Sequence, residues 1–474
     1  MRWLRLAGIV WLVGAVFLLG VWGAAAQSEC QRAKLTADDG APGDLFGCSV
    51  GLSADVAIVG AWRHEITGAA YVFERSGTTW QLAAKLVTTG NGSGMHQGRS
   101  VAAEDNVIVL GANARWLGVF ERDPNGLWSQ VGELRPDEPT SDSLFGYAVS
   151  LSGDFAVVGA PHDDDNGYES GSAYIFERDP NGAWPQAAKL LPHDGEPYNH
   201  FGTAVAINGE VAAIGAPDDN DLGNWSGSAY VFERDPNGNW SEVAKLLPHD
   251  GAGFWNFGTS VAVRNDLILV GADFARGRVS YSGAAYVFER DPNGVWAETA
   301  KLVASDGDNS DYFGTSVALS GDLALIGARG DDDHGEASGS AYVFVPEADG
   351  TWSQVGKLVP DDGSTYDWFG NAVAVDGNTA VIGAYQDDDH GEDSGSAYVF
   401  AVGPDEDGNG VMDVCECLGD LDHDYDVDLA DLAQLLSNYG MSEGAVYEDG
   451  DLDADGDVDL SDLAILLSRY GEVC

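Results

Sequence analysis

The dipeptide Phe-Gly recurs at Phe46-Gly47, Phe145-Gly146, Phe201-Gly202, Phe257-Gly258, Phe313-Gly314 and Phe369-Gly370, the last five copies spaced by 56 residues each. The first two lie 99 residues apart, and Gln97-Gly98 stands between them as a degenerate copy, making seven. Repetition on this scale fixes the architecture before local propensity is consulted, because each unit is one supersecondary element that must stack on its neighbours. Every copy carries the same text. A valine-rich stretch such as TSVALSGD leads to an apolar run ending in Gly-Ala, then a polar loop, SGSAYVFERD, PNG and W…AKL. Gly-Ala begins at Gly60, Gly111, Gly159, Gly215, Gly271, Gly327 and Gly383.

Each copy reads as four short strands, because SVALS, LALIGA, SAYVFE and W…AKL are rich in β-branched, aromatic and aliphatic residues and are bounded by Gly, Asp and Ser. Asp-Pro-Asn-Gly at 123–126, 179–182, 235–238 and 291–294 supplies the hairpin between the third and fourth strands. Pro presets the first turn dihedral and Gly takes the positive φ. Four-stranded units of this length are propeller blades. The chain offers an orphan fourth-strand text, Ala33-Lys34-Leu35, before its first Phe-Gly, and it ends the last copy at Ala397-Tyr398-Val399-Phe400 with no AKL after it. Pairing the two closes a ring and removes two sheet edges. The expected fold is an all-β, seven-bladed propeller over residues 27–402.

This text resembles the FG-GAP repeat family, best known from the integrin α-subunit propeller, over about residues 30–402. It departs from that family where a D-x-[DN]-x-DG calcium loop would precede the Gly-Ala strand. Short turns such as Ser152-Gly153-Asp154 and Ser320-Gly321-Asp322 stand there instead, so those calcium sites are not carried over. A different acidic loop follows Gly-Ala: Asp163-Asp164-Asp165, Asp331-Asp332-Asp333 and Asp387-Asp388-Asp389, with Asp218-Asp219-Asn220-Asp221 as a variant. Adjacent carboxylates repel unless a cation or backbone amides neutralise them. Calcium or ligand sites and plain solvated turns both fit that pattern. Arg329-Gly330-Asp331 spells an adhesion tripeptide, but the repeat already demands the Asp.

Two duplicated segments end the chain, GDLDHDYDVDLADLAQLLSNYG and GDLDADGDVDLSDLAILLSRYG. They place Asp420, Asp422, Asp424, Asp428 and Asp431, then Asp451, Asp453, Asp455, Asp459 and Asp462, at positions 1, 3, 5, 9 and 12 of a loop. Asp426 and Asp457 occupy position 7, where a backbone carbonyl serves calcium. Leu432, Leu435, Leu436 and Tyr439, and likewise Leu463, Leu466, Leu467 and Tyr470, follow the i, i+3, i+4, i+7 pattern of a packed helix. Such a run of like charges in so small a unit predicts folding coupled to Ca²⁺. Tyr425 replaces the Gly of the sharp turn in the first loop. A third loop, Asp405, Asp407, Asn409, Val411, Asp413 and Glu416, satisfies D-x-D-x-N-G-x5-E without a flanking helical pattern, as a calcium-stiffened linker over 403–416 would. Loop followed by helix, twice, resembles a type I dockerin over residues 417–474. The resemblance implies a cohesin-type partner, with Leu429-Ala430 and Leu460-Ser461 at the partner-contacting positions.

Met1-Arg2-Trp3-Leu4-Arg5, an apolar run to about Trp22 and Ala24-Ala25-Ala26 form a secretory signal over residues 1–26, leaving no membrane span after cleavage. The product is expected outside the cell, secreted or held at the cell surface. Its 77 acidic against 23 basic residues argue against nucleic acid and anionic membrane as partners. Of five cysteines, Cys417 and Cys474 bracket the last domain and are expected to pair, as are Cys30 and Cys48. An odd count, with Cys415 the fifth, leaves at least one thiol outside these pairs.

Three functions fit. The first is a non-catalytic binding protein whose propeller engages an extracellular protein or glycan while the calcium-dependent tail docks it. The second is a polysaccharide-degrading enzyme, a glycosyl hydrolase or lyase, since dockerins accompany such activity. Ring symmetry argues against it, because an active site breaks the repeat. The unrepeated His64, His96 and Arg276 are scattered, and no GxSxG, HExxH or P-loop occurs. The third is integrin-like adhesion, which rests on fold analogy.

Overall fold

In the computed structural model, the described residues are 30–89, 95–138, 143–404, 412, 421, 429–442, 445, 450 and 458–469. The signal segment therefore lies outside them. Among them are seven four-stranded antiparallel sheets, each meandering in chain order. Blade 3 is representative, with strands Val149–Ser152, Phe155–Ala160, Ser172–Glu177 and Gln186–Leu190. Blade 7 is the exception. Its first three strands, Ala372–Asp376, Thr379–Ala384 and Ser396–Ala401, receive their fourth from Gln31–Leu35 at the other end of the chain. Lys34 lies opposite Tyr398 and Leu35 opposite Ala397, so the ring is closed by the orphan strand as expected. The first strand of each blade touches the first strand of the next all the way round, and these strands line the centre.

The two dipeptides that mark the repeat are the joints between blades. The Phe of each Phe-Gly is buried and meets the Tyr and Phe of SAYVF edge-on, as Phe201 does with Tyr230 and Phe232 at 5.4 and 6.0 Å. The Gly that follows has positive φ, and its carbonyl presses on the Gly-Ala glycine of the preceding blade. A Cβ on Gly215 would sit 2.0 Å from the Gly258 oxygen, and one on Gly383 would sit 2.0 Å from that of Gly47. No side chain fits there, which is why both residues are glycine.

Blade 2 shows how the pattern is lost without losing the blade. Gln97 is buried in the Phe slot, where its side chain accepts a hydrogen bond from the Thr88 amide and donates one to the Thr88 carbonyl. Gly118 replaces the Tyr, and Thr88 fills the vacated space beside it. An amide that satisfies its donor and its acceptor tolerates burial that an unpaired one would not.

Side chains also belt the ring on the face opposite the acidic loops. Arg122, Arg178, Arg234 and Arg290 each reach back to the Glu of FER in the preceding blade, Glu74, Glu121, Glu177 and Glu233. The Asp-Pro-Asn-Gly segments are hairpin turns as predicted, with Asp123 accepting from the Asn125 and Leu127 amides and Gly126 at φ 85°.

In the tail, helices α1 (Leu429–Asn438) and α2 (Leu460–Arg469) pack through Leu435 and Leu466, with Leu421, Ala445 and Val458 around them. Leu436, Tyr439 and Leu467 depart from the expected packed face. They are about half exposed, because a two-helix core is too small to cover a stripe this wide. Tyr470 lies outside the described residues. Met412, in the expected linker, is fully buried against the edge of blades 6 and 7 beside Cys30, Val355 and Val402.

The cysteines require a correction. Cys48 is free and Cys30 is disulfide-bonded, so they are not partners. Cys48 lines the channel mouth, whereas Cys30 precedes the outer strand of blade 7. Its partner is therefore one of Cys415, Cys417 and Cys474, all outside the described residues, as is the expected Cys417–Cys474 pair.

Candidate functional site on the loop face

The loops joining strands 2 and 3 and those joining successive blades emerge on one face. They are stitched together by parallel bridges such as Gly171 to Phe201 and Gly227 to Phe257. All the acidic loops lie here. In each, the carboxylate four residues after the Gly of Gly-Ala is buried and already partnered. Asp163 accepts from Ser172 and Tyr174 and meets Lys189 of AKL at 3.0 Å. Asp219 meets Ser228, Tyr230 and Lys245, and Asp331 meets Ser340, Tyr342 and Lys357. The third carboxylate, Asp165, Asp221, Asp333 or Asp389, takes the same ammonium from the other side. The middle residue caps the loop, as Asp164 does for the Glu169 amide and Asn220 for the Trp225 amide.

The neutralising cation in these loops is a lysine. Despite burial, hydrogen bonds and charge attraction hold Asp163 and Asp219 below the usual carboxylate range, and Lys189 and Lys245 above the usual amine value. Three of these lysines also bridge to the preceding blade, Lys245 to Asp194, Lys357 to Asp306 and Lys34 to Asp362, as do Lys301 to Asp250 in blade 5 and Lys85 to Asp39 in blade 1. Loops so occupied do not fit a calcium ion. The same network answers the adhesion tripeptide. Asp331 is consumed inside it, and Arg329 stacks over Tyr312 and Trp368 at 5.5 and 5.2 Å. Lysine and aspartate stand in separate strands and loops, so no local motif announces the pairing.

Where the network lapses, the substitutions are telling. His64 replaces the first Asp in blade 1, fully enclosed and bonded to Asp44 at 2.7 Å and Lys85 at 2.6 Å. Blade 5 has Ala275 there, and Lys301 turns to the Arg276 carbonyl instead. His96 packs on Trp62 with ring centroids 4.7 Å apart. The three unrepeated candidates thus serve separate structural ends and do not converge.

Two features of this face are not consumed by the fold. At the channel mouth a cavity of about 420 Å³ is lined by Trp62, Arg63, Arg99, Tyr147, Asn371 and Tyr385 among others. Arg63 lies 4.6 Å over Trp62 and Arg99 lies 4.2 Å over Tyr147, a concentration of guanidinium in a chain of net charge −54. Further out, exposed aromatic residues stand in pairs across blade boundaries. Tyr168 meets Tyr198 at 5.3 Å and Trp225 meets Phe254 at 5.4 Å, each ring about half exposed. Main-chain bonds hold the pairs, from the Tyr198 amide to the Tyr168 carbonyl and from Phe254 to Asn224.

Of the tail residues expected to hold calcium, Asp431, Asp459 and Asp462 are described. Asp431 and Asp462 are fully buried in the first turns of their helices, where Asp431 accepts from the Leu421 amide and Asp462 from the Asp459 amide. Asp420, Asp422, Asp424, Asp426, Asp428, Asp451, Asp453, Asp455 and Asp457 lie outside the described residues, as do Asp405, Asp407, Asn409, Val411, Asp413 and Glu416. Leu429 and Leu460 are 66% and 68% exposed at equivalent points of the two helices.

A seven-bladed propeller closed by its own first strand, with blades joined at Phe-Gly and Gly-Ala, defines an FG-GAP-type protein. The FG-GAP repeat model matches residues 30–73, 128–176, 184–232, 240–288, 296–344 and 352–400, more than half the chain, and the chain belongs to that family. The matched segments omit most of blade 2, the copy that lost its Phe and Tyr. Chicken (Gallus gallus) integrin alpha-6 is 28% identical over 203 residues, covering 38% of this chain and 18% of that protein, so the chain spans under a fifth of that relative's length. Among solved structures, a Lactobacillus plantarum protein aligns at TM-score 0.46 and 13% identity, covering 67% of this chain and 86% of that one. A chain of the mitotic checkpoint complex aligns at 0.49 and 12%, covering 80% and 96%.

Proposed function

We propose that the chain is a secreted, non-catalytic binding protein whose loop face engages an extracellular protein or glycan and whose tail docks it, with calcium, to a cohesin-type partner. The observation that carries this reading is the pair of solvated aromatic couples, Tyr168–Tyr198 and Trp225–Phe254. Large rings held half in water cost hydration free energy in the free protein and recover it on covering a sugar face or an apolar side chain. FG-GAP repeats commonly bind calcium. In this chain the tail loops, with their regular carboxylates, are the better calcium ligands, since lysines occupy the propeller loops. Leu429 and Leu460 supply matched apolar contacts for docking. An enzyme of polysaccharide breakdown is the second reading, and integrin-like adhesion the third. Against the enzyme, the buried carboxylates of the acidic loops are spent on lysine and tyrosine.

The test is a glycan and protein array probed with the intact protein in calcium and in chelator, beside a Trp225→Ala/Phe254→Ala variant. Retention on one ligand class that the variant loses supports the reading. Retention that the variant keeps removes the aromatic face from it, and release of sugar from any polysaccharide overturns the non-catalytic assignment.

A further inference from the structure

The boundary between blades 3 and 4 breaks the repeat in a chemically specific way. His162 follows Gly159-Ala160, Glu169 lies later in the same loop, and His200 immediately precedes Phe201 of the next blade. His162 Nδ1 lies 3.7 Å from one Glu169 oxygen and His200 Nε2 lies 3.4 Å from the other, with the imidazole centroids 5.3 Å apart. One donor atom from each residue can be chosen so that all lie within 4.8 Å of one another. Ligands about 2.0–2.1 Å from a tetrahedral ion are separated by roughly 3.3 Å, so this spread is close to a ligand shell. The His162–Glu169 gap is wider than a hydrogen bond and leaves room between the two groups.

The outer partner is present as well. Asp218 accepts a 2.5 Å hydrogen bond from His200 Nδ1, which fixes the tautomer and turns the Nε2 lone pair toward Glu169. A carboxylate behind a histidine in this way orients the ring and raises its basicity as a ligand. All three ligand side chains are partly exposed, at 36, 23 and 23%, and an ion can reach them. No other blade boundary places an imidazole in both equivalent slots, and in blade 2 the one histidine, His96, faces Arg63 in blade 1.

We propose that His162, His200 and Glu169 form a site for a borderline divalent transition ion, Zn²⁺ foremost, with Asp218 as its positioning residue. Two nitrogens and a carboxylate suit Zn²⁺ and not Ca²⁺, which takes six to eight oxygens. Three protein ligands leave a fourth position open toward the loop face. The site is independent of the tail and adjoins the Tyr168–Tyr198 couple, whose Tyr168 hydroxyl also bonds to Glu169.

The test is calorimetric titration of the intact protein with Zn²⁺ in calcium-saturated buffer, with Co²⁺ absorption as a reporter of coordination geometry. One Zn²⁺ per chain is expected above any weak surface uptake. His200→Ala and His162→Ala should each lose at least about 100-fold in affinity, and Asp218→Asn should lose about 10- to 100-fold while keeping the stoichiometry. His193→Ala, an exposed histidine paired with Glu242, serves as the control and should change nothing. Zn²⁺ uptake that is absent, or that is equal in wild type and both histidine variants, overturns the proposal. So does an anomalous zinc peak placed away from these three side chains, a readout that does not depend on how the variants fold.

Discussion

Lys34 Nζ lies 3.1 Å from the Asp387 carboxylate, 353 residues later in the chain. The same ammonium meets Asp362 at 2.7 Å and Asp389 at 2.6 Å. The strand that closes the ring therefore also delivers the charge that three carboxylates need, and closure is electrostatic as well as hydrogen-bonded. Lys34→Met, which keeps the apolar stem, should cost about 2–4 kcal/mol by leaving carboxylates without their cation. Urea unfolding followed by tryptophan fluorescence measures it. A midpoint that stays in place, or one that calcium restores, would mean that the loop relies on another cation.

Gly383 and Gly47 make the second closure contact. A Cβ on Gly383 would stand 2.0 Å from a backbone oxygen, with nothing flexible to move aside. Gly383→Ala should destabilise by more than about 3 kcal/mol, as overpacking against backbone does. Gly153→Ala, at φ 55° with open space around it, should cost only about 1 kcal/mol. Comparable losses in the two variants would show that backbone conformation, and not the blade joint, dictates glycine.

The periodicity of the sequence was enough to read the blades, the four strands of each and the partner of Ala33-Lys34-Leu35, because every blade repeats one solution to one packing problem. Cross-blade chemistry was harder to see. Asp163 and Lys189 stand in different elements of the same blade, and Lys34 and Asp387 stand at opposite ends of the chain. The sequence therefore leaves the acidic loops open between cation sites and solvated turns, and only the placement of their lysines decides. His162 and His200 are separated by a whole strand pair and match no motif. Their only signal was that they interrupt a repeat whose other copies carry no such pair, which is visible once the copies are superposed.

Asp367 is buried beside the closure network. Burial, with the negative charges of Asp387 and Asp388 nearby, pushes its carboxyl up to about 7 from an ordinary 3.8, against the pull of the Ser364 amide and Lys34. An acid whose folded pKa is raised binds its proton more tightly in the native state, so its contribution is complete below pH 4 and is lost as pH rises through 7. Asp163 and Asp219, with lowered values, act the opposite way and lose their contribution as pH falls. Asp367→Asn keeps an acceptor for Ser364 and removes the titration. It should match wild type at pH 4 and exceed it by about 1–2 kcal/mol at pH 8, in denaturation curves taken across that range. A constant difference at all pH values would show that Asp367 does not titrate there.

Cys30 bonds to a cysteine at least 385 residues away and sits one residue before the closing strand. Tying ends this far apart restricts the unfolded chain, and its loss should cost about 2–4 kcal/mol. Cys30→Ser should therefore lower the melting temperature of the propeller, and reductant should then lower it less in the variant than in the wild type. Cys48→Ser should leave reductant sensitivity intact, since that thiol is free and burial pushes its pKa up to about 11. If Cys48→Ser abolished the sensitivity, the assignment of the bonded thiol would be wrong.

The two tail loops differ at one position that matters for affinity. Gly456 occupies the sharp turn of the second loop and Tyr425 that of the first. A left-handed conformation costs a non-glycine residue about 1–2 kcal/mol, so the first loop should bind calcium roughly 5- to 30-fold more weakly. Calorimetry should resolve a tight and a weak event in the tail. Asp462→Ala, which removes a fully buried carboxylate at the head of α2, should delete the tight one, and Asp431→Ala should delete the weak one. Folding should be coupled to the ion, because α1 and α2 share a core of only a few residues, centred on Leu435 and Leu466. Chelator should accordingly reduce the helical signal in circular dichroism while the propeller melt stays in place. Helices that persist in chelator would show that this core holds without metal, and the calcium-dependent docking would lose its physical basis.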